Sequence, residues 1–209
     1  MRKHTITWLL LAFVLLLSHS QFAFSADKAF TESVVIFNTI CAKCHEAQCS
    51  GRLTFDDAMS ASTGHILRHY NEASGKQWLQ KELFEILSYM KEKCAYYPMS
   101  IPVPLKRVWG SDILDKLSTL LEKNYFIPIG NFTAGSYRIE LELEKDARVN
   151  AQLITEEFDN IVEDCFESSK RRITIPFVIE SPGIHYFRIY PRKPVRITQL
   201  SIIKGVGDK

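Results

Sequence analysis

Two cysteines and a histidine stand together in this chain of 209 residues. Cys41-Ala42-Lys43-Cys44-His45 has the spacing C-x-x-C-H. Thiols at that spacing can each add across one vinyl group of a heme held edge-on, and the imidazole that follows then meets the iron as proximal ligand. On this reading Cys41 and Cys44 hold one covalent heme c and His45 ligates its iron. Two other chemistries use the same pair of thiols. A structural zinc site takes four ligands, usually from two such pairs, and no second C-x-x-C occurs. A thioredoxin-like redox pair ends a strand and opens a helix. Here Phe30, Val34, Phe37 and Cys41 fall at i, i+4, i+7 and i+11, one face of a helix running into the motif.

Further helices are expected after it. One runs from about Phe55 to Tyr70, with Asp56 and Asp57 in its first turn, and a break follows at Asn71 to Gly75. The next runs from Gln77 to about Lys93 and places Leu79, Leu83, Leu87, Met90 and Cys94 on one face. A helix that delivers C-x-x-C-H at its C-terminal end resembles the class I cytochrome c family, over about residues 28–95. The run Glu85 to Lys91 resembles the terminal helix of small c-type cytochromes. The resemblance implies three helices around a flat apolar cofactor, which adds buried area to a small core.

In that family the sixth iron ligand is usually a Met from a loop, which points to Met99 in the segment Tyr96 to Pro102. His65 and His69, one helical turn apart, compete with it, and an open sixth site is the remaining alternative. Arg68 lies between the two histidines and is a candidate partner for a heme propionate. Cys49, Cys94 and Cys165 are left over. The expected packing of the helices makes a Cys49–Cys94 disulfide the preferred pairing, with free thiols the alternative.

The second half changes in kind. Pro98, Pro102 and Pro104 bound a stiff connector, and a helix is expected from about Ser111 to Lys123 with Leu114, Leu117 and Leu121 on one face. Tyr137 to Glu144 then alternates strictly between apolar and charged residues, as a half-buried strand does. Ala147 to Ile154, Arg172 to Ile179, Ile184 to Tyr190 and Val195 to Ile203 read as further strands, and Asp159 to Ser169 as an acidic loop. Short strands without intervening helices suggest an antiparallel sandwich. Gly135 to Ile139, Gly183 to Ile189 and the closing strand Ile197 to Ile203 resemble a jelly-roll or galactose-binding-like module. Such modules often bind sugars, so Tyr186, Arg188 and Tyr190 are candidate contacts, although aromatic residues in alternating strands commonly serve packing.

The N-terminus reads as a signal peptide. Arg2, Lys3 and His4 precede ten apolar residues, Trp8 to Leu17, and Ala23 and Ser25 suit cleavage after Ser25. That run is short of the roughly 20 residues a spanning helix needs. Lys and Arg number 26 against 24 Asp and Glu, and Arg2 and Lys3 account for the excess. No basic field remains for nucleic acid or an anionic membrane.

The expected organisation is therefore α+β. A signal peptide (1–25) precedes a small all-α cytochrome c-like heme domain (26–96), a Pro-rich connector and helix (97–123), and an antiparallel β-sandwich (124–209). The expected function is an exported, periplasmic mono-heme cytochrome that carries single electrons to redox partner proteins. Its β-domain would dock a partner or a carbohydrate, with no stable membrane insertion, no nucleic acid and no catalytic residues. The alternatives are a heme-based sensor with an open sixth site and a heme subunit of a larger oxidoreductase.

Overall fold

A computed structural model describes residues 30–45 and 58–205. The expected signal peptide and Cys49 lie outside the described residues. Helical residues 30–36 (α1) continue through a wider turn, Phe37–Cys41, into Ala42–His45 (α2). Ala58–His69 (α3), a tight turn at Asn71–Ala73 and Gln77–Lys93 (α4) follow. The remainder comprises β1 (Val108–Gly110), the short helix α5 (Ser111–Leu114), a tight turn at Asp115–Leu117, and seven longer strands. These are β2 (Tyr125–Phe132), β3 (Gly135–Leu143), β4 (Arg148–Thr155), β5 (Asn160–Glu167), β6 (Arg172–Ile179), β7 (Gly183–Pro191) and β8 (Ile197–Lys204). Among the described residues no helix is long and apolar enough to cross a membrane.

The strands form two antiparallel sheets, ordered β1-β8-β3-β6 and β2-β7-β4-β5, that face each other as a sandwich. Alternation explains the first sheet. Tyr137, Ile139, Leu141 and Leu143 of β3 and Ile173, Ile175, Phe177 and Ile179 of β6 are buried, while the residues between them face solvent. The outward residues pair across the strands, with Arg172 2.7 Å from Glu142. The second sheet is buried on both faces over β2 and β7. Tyr125, Ile127, Phe187 and Ile189 point inward, and Phe126 and Arg188 are buried on the opposite face.

The helices supply that second cover. Leu79, Leu83, Ile86 and Met90 form one buried stripe on α4 and share a core with Val34, Val35, Ile36 and Phe37. Helix α4 ends on Cys94, whose left-handed conformation (φ 48°) brings its N–H to the Met90 carbonyl at 2.8 Å. Tyr96, two residues on, packs against Phe126, Phe158 and Tyr186 of the sandwich at centroid distances of 5.4, 4.7 and 4.3 Å. The helices thus form a layer on the second sheet. No separate all-α heme domain is present among the described residues, which corrects that part of the expected fold.

Two local expectations change as well. The helix over Ser111 to Lys123 stops early, because Thr119 and Asn124 close a turn through bonds of 2.9 and 3.0 Å, and Leu121 is 67% exposed. The acidic stretch read as a loop is strand β5, paired with β4. The connector runs beside β2, where Gly130 adopts φ 88° at a bulge and leaves room for Val103.

One buried side chain joins the two sheets. The Tyr125 hydroxyl accepts the Ile197 N–H at 2.9 Å and lies 3.4 Å from the Val195 carbonyl, and burial pushes its pKa up to about 12. Arg196, beside these residues, donates through Nε to Asp115 at 3.1 Å and makes a second bond to it through Nη2. Removing the hydroxyl in Tyr125→Phe strands the buried Ile197 N–H. The expected loss is about 1–3 kcal/mol of folding free energy, read as a lower urea midpoint at unchanged slope.

Candidate functional site

The outer face of the second sheet is covered over β2 and one end of β7, and open beyond. Strand pairing sets three rows on it. Tyr186 lies opposite Ile154 and joins the aromatic cluster around Tyr96, Phe126 and Phe158. Arg188 lies opposite Gln152, which lies opposite Glu163. Tyr190 lies opposite Asn150, which lies opposite Cys165.

The middle row is a hydrogen-bonded relay. Arg188 is 2% exposed, and its guanidinium sits 5.7 Å from the centre of the Phe126 ring. Its Nη1 donates to Gln152 Oε1 at 3.1 Å, and Gln152 Nε2 donates to Glu163 Oε1 at 2.8 Å. Asn160 Nδ2 holds the other Glu163 oxygen at 3.0 Å. The amide of Gln152 is thereby fixed in one orientation, acceptor toward the cation and donor toward the anion. In the last row the Lys43 ammonium lies 4.7 Å from the centre of the Tyr190 ring, and Arg148 Nε donates to Cys165 Sγ at 2.8 Å.

Between α2 and these rows lies a cavity of about 710 Å³. Lys43, Arg188, Gln152, Asn150, Glu163 and Tyr190 are among its lining residues. The lining offers two cations (Lys43, Arg188), the Glu163 carboxylate, three amides (Asn150, Gln152, Asn160) and the Tyr190 ring. Such a surface offers both hydrogen-bond donors and acceptors.

The structure distributes the residues expected from sequence differently from the heme reading. Cys41 is half-buried, and Cys44 and His45 fall in α2. His65 and His69 lie on α3 with ring centroids 4.6 Å apart, exposed, as is Arg68 between them. Met99 is half-buried against the core in the connector. Cys94 is exposed with a free thiol, and Cys165 is half-buried beside Arg148. Arg188 and Tyr190 line the cavity as sugar-contact candidates would, whereas Tyr186 is spent on packing. Asn150, Gln152 and Glu163 carried no signal, because only the pairing of β4 with β5 and β7 assembles them.

No family model matches the chain. No curated protein matches it either. Solved structures give distant likenesses. A family 115 4-O-methyl-α-glucuronidase with specificity for decorated arabinogalactans aligns over 71% of this chain and 25% of its own length, at 13% identity and a TM-score of 0.35. The chain thus spans a quarter of that enzyme. The C-terminal family 6 carbohydrate-binding module of a marine laminarinase from Zobellia galactanivorans aligns over 40% of this chain and 74% of its own, at 22% identity and a TM-score of 0.30. A family 35 carbohydrate-binding module from Paenibacillus barcinonensis aligns over 42% and 74%, at 14% identity and a TM-score of 0.30.

The two-sheet sandwich, with no separate all-α heme domain among the described residues, corrects the class I cytochrome c resemblance and the electron-carrier function built on it. Among the described residues no group of three or more His, Cys, Asp or Glu side chains is placed to hold a metal ion. The physical reason lies in the packing. The helix entering C-x-x-C-H uses Val34 to Phe37 for a core shared with α4, which joins the helical layer rather than a separate heme domain.

The relay makes a definite demand on stability. Replacing Gln152 with Leu leaves the buried Arg188 Nη1 and the Glu163 carboxylate without the amide between them. The Gln152→Leu variant is expected to lose about 1–3 kcal/mol, measured by chemical denaturation.

Proposed function

We propose that this protein is a carbohydrate-binding module that holds its ligand in the cavity between α2 and the outer face of β7, β4 and β5. The single observation that carries this reading is the lining itself. A sugar ring presents hydroxyls that both donate and accept, and a C–H face that packs on an aromatic ring. The cavity pairs fixed amide and guanidinium donors and fixed carboxylate acceptors with the Tyr190 ring. Its volume of about 710 Å³ lies in the range of about 300–1,000 Å³ typical of small-ligand sites.

Binding without catalysis is part of the proposal. Hydrolysis of a glycosidic bond uses two carboxylates that flank the scissile oxygen. Glu163 and Asp164 are adjacent on one strand and project to opposite faces of it. Glu163 is further held by two amides, whose N–H groups occupy both of its oxygens. The basic and apolar N-terminus supports export to the periplasm, where polysaccharide is met.

Lys43 refines the test. Its ammonium covers a face of the Tyr190 ring, and a sugar stacking there has to displace it. Isothermal titration against soluble neutral polysaccharides should find a ligand whose affinity falls at least tenfold, about 1.4 kcal/mol, in Tyr190→Ala. The same ligand should bind Lys43→Ala as well as wild type or better. A ligand that binds Tyr190→Ala and wild type equally would remove this cavity as its site.

A further inference from the structure

Helix α3 carries two imidazoles that the β-sandwich does not use. His65 and His69 are both exposed and one turn apart, so they stand on the same face of the helix. Packing holds the helix on another side. Ile66 is 7% exposed, Leu67 and Tyr70 lie against the same core, and the Tyr70 N–H closes the last turn onto the Ile66 carbonyl at 2.8 Å. The space beside the pair is open, since a Cβ added at Gly64, the residue before His65, would meet nothing within 4 Å.

The separation of the two rings is the deciding observation. Their centres lie 4.6 Å apart, with 47° between the planes. An ion about 2.1 Å from a ring nitrogen lies about 3.2 Å from the centre of that ring. Two imidazoles on one ion then have centres about 4.6 Å apart when they take adjacent positions at right angles, and about 5.3 Å apart in a tetrahedron. The observed spacing matches the right-angled case. His69 falls in the last turn of α3, where the negative end of the helix dipole favours a cation. Among the described residues no third His, Cys, Asp or Glu joins the pair. Arg68 flanks it and has no lone pair to offer. A site of two imidazoles leaves its other positions to water, so it suits an ion that takes nitrogen strongly in square or octahedral geometry.

We propose that His65 and His69 together chelate one divalent transition-metal ion, Ni²⁺ or Cu²⁺, on the surface of α3, with water completing its coordination. The site shares no residue with the cavity at Tyr190, so each reading can fail without the other.

The test is calorimetric titration of the full chain, freed of metal by a chelator, with Ni²⁺ alone, an ion that leaves cysteine thiols reduced. The titration should show a binding event that His65→Ala and His69→Ala each weaken at least tenfold, because one imidazole lacks the second arm of the chelate. Both positions are exposed, so the variants should unfold at the wild-type urea midpoint without metal. Ni²⁺ should raise that midpoint in the wild type and leave it unchanged in the double variant His65→Ala, His69→Ala, since an ion that binds only the folded helix stabilises it. Wild-type affinity in either single variant would overturn the proposal. So would binding that persists in the double variant and disappears in Cys41→Ser, Cys44→Ser, which would move the ion to the C-x-x-C-H motif.

Discussion

The contact of Tyr96 with the sandwich is the constraint on which the arrangement of this molecule turns. A sheet with one bare face would leave Phe126 and Tyr186 in water, and their rings stack at 5.2 Å with only 7° between planes. Tyr96 leaves the end of α4 at the point where these rings lie, and Phe158 closes the cluster from the turn between β4 and β5. Aromatic pairs of this kind contribute about 0.5–1.5 kcal/mol each beyond the area they bury. The position of the whole helical layer follows from this anchor, since α4 in turn carries the apolar stripe that holds α1.

That anchor also divides the sheet. On its covered side the outward residues are rings, and on its open side they are Arg188, Gln152, Glu163, Asn150 and Tyr190. The guanidinium of Arg188 stands on the boundary, over Phe126 on one side and bonded to Gln152 on the other. A buried cation in that place is tolerable because the neighbouring groups share its charge. The polar rows are thus rigid where they meet the core and accessible where they meet the cavity. This is the property a recognition surface needs, since ordering its side chains beforehand lowers the cost of binding.

The sequence made much of the β-sandwich legible for a physical reason. Strands β3 and β6 face solvent on one side, so their residues alternate and the pattern shows. Strand β2 is buried on both faces and carries Pro128 and Gly130, and β5 is a charged edge strand, so neither presents a period of two. Helix α4 was readable to its ends from its own stripe. The short motif misled in the opposite sense. C-x-x-C-H is local, whereas the use made of the helix before it is decided by α4 and β2, which are distant in sequence. The candidate site was half visible: Arg188 and Tyr190 could be named, but Gln152 and Glu163 become a relay only through cross-strand register.

The four edges of the sandwich share a further property. Strand β2 carries Pro128 and a bulge, β6 carries Pro176, β5 carries Glu163, Asp164 and Glu167 with a bulge in its pairing to β4, and β1 is three residues long. Each edge thereby lacks the long, flat row of donors and acceptors on which another strand could zip. Copies of this chain crowded side by side would meet through side chains and not through backbone, so high local density does not zip them into fibres.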